Sequence, residues 1–134
     1  VICGSDDFIL EARRIRKSLG GGMRQTGIIS AAGTISLNTM INRLKDDHIN
    51  AYRLANALCS LKGIKLNPDN VKTNIIYFNF NHPDISSSEL VSHMKSKGII
   101  FSDYNGKHCR LVTHNNINSN DIENVIDVFN KFLS

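Results

Sequence analysis

A chain of 134 residues that is 41% apolar and 21% charged, with two prolines, has the make-up of one folded domain and not of a disordered or low-complexity segment. No apolar run approaches the ~20 residues a helix needs to cross a bilayer, and the opening Val1-Ile2-Cys3-Gly4-Ser5 lacks the basic start and apolar stretch of a secretion signal, reading instead as the continuation of a longer polypeptide. The net charge of +4 is local: Arg13, Arg14, Arg16, Lys17 and Arg24 meet only Glu11 between positions 11 and 24, and the remainder is neutral.

Ser5 followed by Asp6 and Asp7 is an N-cap with acidic first-turn residues, so Phe8, Ile9, Ala12, Ile15 and Leu19 predict an amphipathic helix over 6–18. Gly20-Gly21-Gly22 ends it. A second helix is expected from near Met23, apolar on several sides through Ile28, Ile29, Ala31, Ala32, Ile35 and Leu37. Ile41, Leu44, His48, Ala51, Leu54, Ala55, Leu58 and Leu61 continue as a helical stripe over 41–62, closed by Lys62-Gly63. In that stripe His48 reads as a buried, hydrogen-bonded histidine.

The period then shifts to two. Residues 64–66 form a short strand, Asn67-Pro68-Asp69-Asn70 a turn, and 73–80 a strong strand with Ile76, Phe78 and Phe80 on one side and Ile75, Tyr77 and Asn79 on the other. Ser86 to Glu89 opens a helix with Leu90, Val91 and Met94 inward, ending at Lys97-Gly98. Strands at 98–102 and 108–113 flank a turn at 104–107, and Asn118 or Ser119 caps a final helix that buries Ile122, Val125, Ile126, Val128, Phe129 and Phe132. The fold class is α+β: long helices, then a small antiparallel sheet with helices on one face. The leading helices have no sheet of their own and are expected to cover one outside this chain.

Cys3, Cys59 and Cys109 are odd in number and far apart, which suits neither a zinc site nor a disulfide framework, and they are expected as reduced thiols. Leu19-Gly20-Gly21-Gly22-Met23-Arg24-Gln25 lacks the Lys-Ser/Thr ending of a nucleotide-hydrolysing loop. Glycines leading into a helix would still present free N–H groups to an anion, with Lys17 and Arg24 flanking. A solvated basic helix face, or a turn between packed helices, accounts for the same residues. A free-standing nucleic-acid-binding domain is disfavoured by three tyrosines, no tryptophan and no basic–aromatic interleaving.

Residues 12–25, Ala-Arg-Arg-Ile-Arg-Lys-Ser-Leu-Gly-Gly-Gly-Met-Arg-Gln, resemble the signature of the low-specificity L-threonine aldolases. The likeness continues through Ala31-Ala32-Gly33, Arg43 to Ala51, Thr73 to Ile76, and Arg110-Leu111-Val112-Thr113-His114, in the family's order and across nearly the whole chain. The resemblance implies a pyridoxal 5′-phosphate enzyme of the aspartate-aminotransferase fold (fold type I) that cleaves L-threonine or L-allo-threonine to glycine and acetaldehyde. The lysine that holds the cofactor would precede Val1, with residues 1–5 as the strand and turn after it, so this chain alone is expected to be inactive. Residues 1–40 would end the large cofactor-binding domain and 41–134 form the carboxy-terminal small domain.

By the same resemblance Arg110 binds the substrate's α-carboxylate, and Arg24 and Lys17 lie at the cofactor phosphate, Arg24 reaching a neighbouring subunit. From their own positions, His114 past the strand end reads as structural or as orienting Arg110, and Asn74 at a strand start as bonding backbone in preference to lining the cleft. The implied assembly is a cytoplasmic homotetramer, a dimer of dimers, with an amino-acid substrate and neither nucleic acid nor membrane as partner. Another β-hydroxy-amino-acid lyase of the same fold is the alternative.

Overall fold

The computed structural model describes residues 2–134 and separates a first unit, ending at Ile41, from a second, Asn42–Ser134. In the first, α1 (Asp6–Ser18) starts where Ser5 Oγ accepts the Phe8 N–H at 3.4 Å. It ends at Gly20, whose φ of +83° is the left-handed conformation that closes helices. Ile2 to Gly4 form no strand, for within this unit there is no partner strand to take up the backbone hydrogen bonds; Val1 lies outside the described residues.

α2 runs Gly27–Ile35, not from Met23, because Gln25 (φ 52°) leaves helical space. It relaxes into a π-helical turn over Ser36–Met40. There Thr34, Ser36 and Thr39 hydroxyls donate to the carbonyls of Ser30, Ala32 and Ile35, a back-bonding that loosens the main-chain ladder. No residue of α1 or α2 is buried: Leu19 is 81% and Ile28 86% exposed. An apolar hollow of about 360 Å³ runs along α1, lined by Phe8, Ala12, Ile15 and Leu19 among others.

A 3-10 turn over Ile41–Arg43 leads into α3 (Leu44–Leu58), the first helix of the second unit. The helix stops four residues short of the expected end, where Leu61 and Ile64 N–H groups turn back to the Leu58 and Leu61 carbonyls. Its buried side is also rotated at the start. Asp47 and Asn50 are inside with Ala51, Leu54, Ala55 and Leu58, while Leu44 stays largely exposed. The buried polar groups have partners: Arg43 pairs with the Asp47 carboxylate, Thr113 Oγ1 donates to the Asp47 carbonyl at 2.7 Å, and Asn50 Nδ2 donates to the Ile117 carbonyl at 3.2 Å.

β1 (Ile64–Lys65), β2 (Ile75–Phe80), β3 (Ser102–Tyr104) and β4 (His108–Val112) form an antiparallel sheet in the order β1-β2-β4-β3. The expected strand at 98–102 is displaced to β3, since the Gly98 and Ile99 N–H groups close the preceding helix on Lys95 and Met94. That helix, α4 (Ser87–Ser96), has a capping box between Ser86 and Glu89; the last, α5 (Ser119–Leu133), has one between Asn118 and Asp121.

Ile76, Phe78, Phe80, Cys109 and Leu111 are buried on one side of the sheet with Leu90, Met94, Ile122 and Phe129 of the helices. The other side, Ile75, Tyr77 and Asn79 beside His108, Arg110 and Val112, is open to half-open. Helices on one face therefore hold.

Candidate functional site

Arg110 stands on the open side because Cys109 and Leu111, its neighbours on β4, point into the core. The register puts Tyr77 directly opposite on β2 and Ser102 opposite on β3. The Tyr104 ring centroid lies 5.7 Å from the guanidinium carbon. Arg110 Nε is buried and has no hydrogen-bond partner. Among the described residues no carboxylate forms an ion pair with Arg110, whereas Arg14, Arg43 and Arg53 pair with Glu11, Asp47 and Glu123. A half-buried, unneutralised planar fork on an uncovered sheet face has the donor geometry to pair with an anion carrying two coplanar oxygens.

The first unit holds Lys17 and Arg24. The triple glycine is a helix end and not a helix start: Gly20 N–H donates to the Lys17 carbonyl at 3.2 Å and Gly21 N–H to the Arg16 carbonyl at 2.8 Å. The expected free N–H groups at a positive helix end are thus spent on the negative end of α1, and α2 begins only at Gly27. Gly22 leaves room for Lys17: a Cβ there would crowd Lys17 Cδ and lie 2.9 Å from its ammonium nitrogen. Among the described residues neither Lys17 nor Arg24 has a carboxylate partner. These cations suit a phosphate in charge and donor type, as Arg110 suits a carboxylate.

The remaining candidates are structural. His48 is half-buried, and no hydrogen bond of its ring occurs among the described residues; Asp47 takes the buried place expected for it. His114 is exposed and its Nδ1 accepts the Asn116 N–H at 3.3 Å, a turn contact. Asn74 Nδ2 donates to the Thr113 carbonyl at 2.8 Å and the Thr113 N–H returns to the Asn74 carbonyl at 2.9 Å, locking the end of the β2–β4 pair. Tyr104, within the turn expected at 104–107, is instead the last residue of β3. The alternation outward from the Asn105-Gly106 turn is the signal that places it with Arg110.

Behind β4, Cys109 Sγ lies 3.9 Å from Ser87 Oγ, which donates to Asp103 Oδ2 at 2.8 Å. Burial pushes the Cys109 thiol up from its ordinary 9.0 to about 11, Asp103 adding to the rise and Ser87 opposing it. At about pH 8, iodoacetamide should therefore label exposed Cys3 and spare Cys109 until denaturant is added, as read by peptide mass. The unfolded thiol gives up its proton first, so this group costs the native state stability as pH climbs from 9.0 to about 11.

Residues 1–81 match the family model for beta-eliminating lyases. Two Arabidopsis thaliana proteins, low-specificity L-threonine aldolase 1 and probable low-specificity L-threonine aldolase 2, are 34% and 36% identical to this chain over 134 residues. The alignments cover 99% of the chain and 37% and 38% of those proteins. Alanine racemase TOXG of Cochliobolus carbonum is 33% identical over 141 residues, covering 99% of the chain and 34% of that protein. The chain thus spans under two-fifths of the length of these curated relatives.

Proposed function

The chain belongs to the beta-eliminating lyase family, and from that premise we propose that it is the carboxy-terminal part of a pyridoxal-phosphate aldolase cleaving L-threonine or L-allo-threonine to glycine and acetaldehyde. Residues 1–40 close the large domain and 41–134 are the small domain. The uncovered apolar faces of α1 and α2 support this reading, as helices shaped to pack against more of the same polypeptide. The whole enzyme is a cytoplasmic homotetramer. No helix among the described residues is long and apolar enough to cross a membrane.

The single observation that carries the reading is the Arg110 guanidinium, which has no carboxylate partner among the described residues and a buried Nε without a hydrogen bond. Pyridoxal phosphate, when bound, supplies an electron sink for the carbanion left at Cα. Arg110 would grip both oxygens of the α-carboxylate and so set the rotation of the amino acid, and with it which bond at Cα is presented for cleavage. Lys17 and Arg24 would hold the phosphate. The lysine that binds the cofactor covalently lies elsewhere in the enzyme, and the chain by itself is inactive.

The racemase among the relatives favours one second reading. The same grip, turned to place Cα–H across the ring, would exchange a proton instead of breaking a carbon–carbon bond. Incubating the complete enzyme with L-threonine and with L-alanine separates the two. Glycine and acetaldehyde in equal amounts are expected from threonine; 2-oxobutanoate and ammonia, or racemised alanine alone, would overturn the aldolase reading.

A further inference from the structure

We infer that Tyr104 is a positioning residue for Arg110: its ring holds the guanidinium in place while leaving the N–H groups free for the substrate carboxylate. The inference rests on the carboxylate role proposed above for Arg110. An arginine that must receive an anion needs a support that does not neutralise it. A neighbouring aspartate or glutamate would compete with the substrate for the same fork. The face of an aromatic ring attracts the cation through its quadrupole and takes up no donor. Tyr104 meets that requirement, with its ring centroid 5.7 Å from Arg110 Cζ and no ion pair at Arg110 among the described residues.

The backbone fixes this support in advance. Asn105 (φ 58°) and Gly106 (φ 68°) turn the chain through consecutive left-handed conformations, which asparagine and glycine tolerate best. Lys107 N–H closes the turn on the Tyr104 carbonyl at 3.4 Å. The resulting register, Ser102 with Arg110 and Tyr104 with His108, sets Tyr104 and Arg110 diagonally on one face. His108, the cross-strand partner of Tyr104, is bonded to Asn79 on β2 at 2.6 Å. Its ring is held toward β2, leaving that of Tyr104 to Arg110.

The test uses the complete, cofactor-loaded enzyme and measures KM and kcat for L-threonine and the inhibition constant of glycine in three variants. Tyr104→Leu is expected to raise KM and the glycine constant about three- to tenfold, the range of a partly desolvated cation–π contact, with kcat within about twofold. Tyr104→Phe keeps the ring and is expected to restore both constants. Arg110→Ala separates the failures. If it leaves KM unchanged, the carboxylate role and this inference fall together. If it raises KM while Tyr104→Leu does not, or while Phe behaves as Leu does, the inference alone is overturned.

Discussion

Replacing Arg110 by alanine in the complete enzyme should raise KM for L-threonine by about a hundredfold, because two charge-assisted hydrogen bonds to one carboxylate together supply on the order of 3 kcal/mol. The loss should fall on substrate, with pyridoxal-phosphate affinity changed far less, since Arg110 is assigned to the carboxylate and Lys17 and Arg24 to the phosphate. Lysine at 110 should recover only part of the loss, a point charge in place of a planar fork. Steady-state kinetics beside a cofactor fluorescence titration read the two effects separately. Equal weakening of both would place Arg110 at the phosphate instead.

The largest stability effect belongs to Phe129. Its ring is fully buried and meets Phe78 edge-on, at 6.3 Å and 80°, and Phe101 at 6.1 Å. Truncation to alanine takes the largest buried α5 side chain out of the core it shares with the covered side of the sheet and leaves a cavity that neighbours can fill only by moving. Losses of about 3–5 kcal/mol accompany such changes, against a total of about 5–15 kcal/mol for a typical domain. Urea denaturation should show the midpoint falling sharply with an unaltered slope. Phe132→Ala, which strips a half-buried ring stacked on His93 at 4.0 Å, should cost less.

The features that could be read from the sequence are those whose cause is local. In β2, alternation and one-sided burial coincide residue by residue, because helices cover only one side of the sheet. Ser86 with Glu89, and Asn118 with Asp121, write their helix starts in four residues. Arg110 faces outward for the same reason of alternation.

The misreadings share a different cause. The glycine run does end α1 as its composition says, but the free N–H groups expected of it are not there, because those of Gly20 and Gly21 turn back to the Lys17 and Arg16 carbonyls. Ile99-Ile100-Phe101 has the apolar character of a strand, but its first residue is consumed in closing α4. The burial of Asp47 and Asn50 depends on Thr113 and Ile117, 66 and 67 positions away, which no local window contains. The contact of Tyr104 with Arg110 likewise needed the register of β3 on β4, which the displaced strand at 98–102 concealed.

A crystal structure of the complete enzyme with pyridoxal phosphate and glycine bound tests the role of Arg110 most directly. Both terminal nitrogens of the Arg110 guanidinium should lie about 2.7–2.9 Å from the two oxygens of the glycine carboxylate, with the Tyr104 ring against the guanidinium plane. A glycine carboxylate held by other residues, with Arg110 turned to solvent or paired with an acidic side chain, would contradict it.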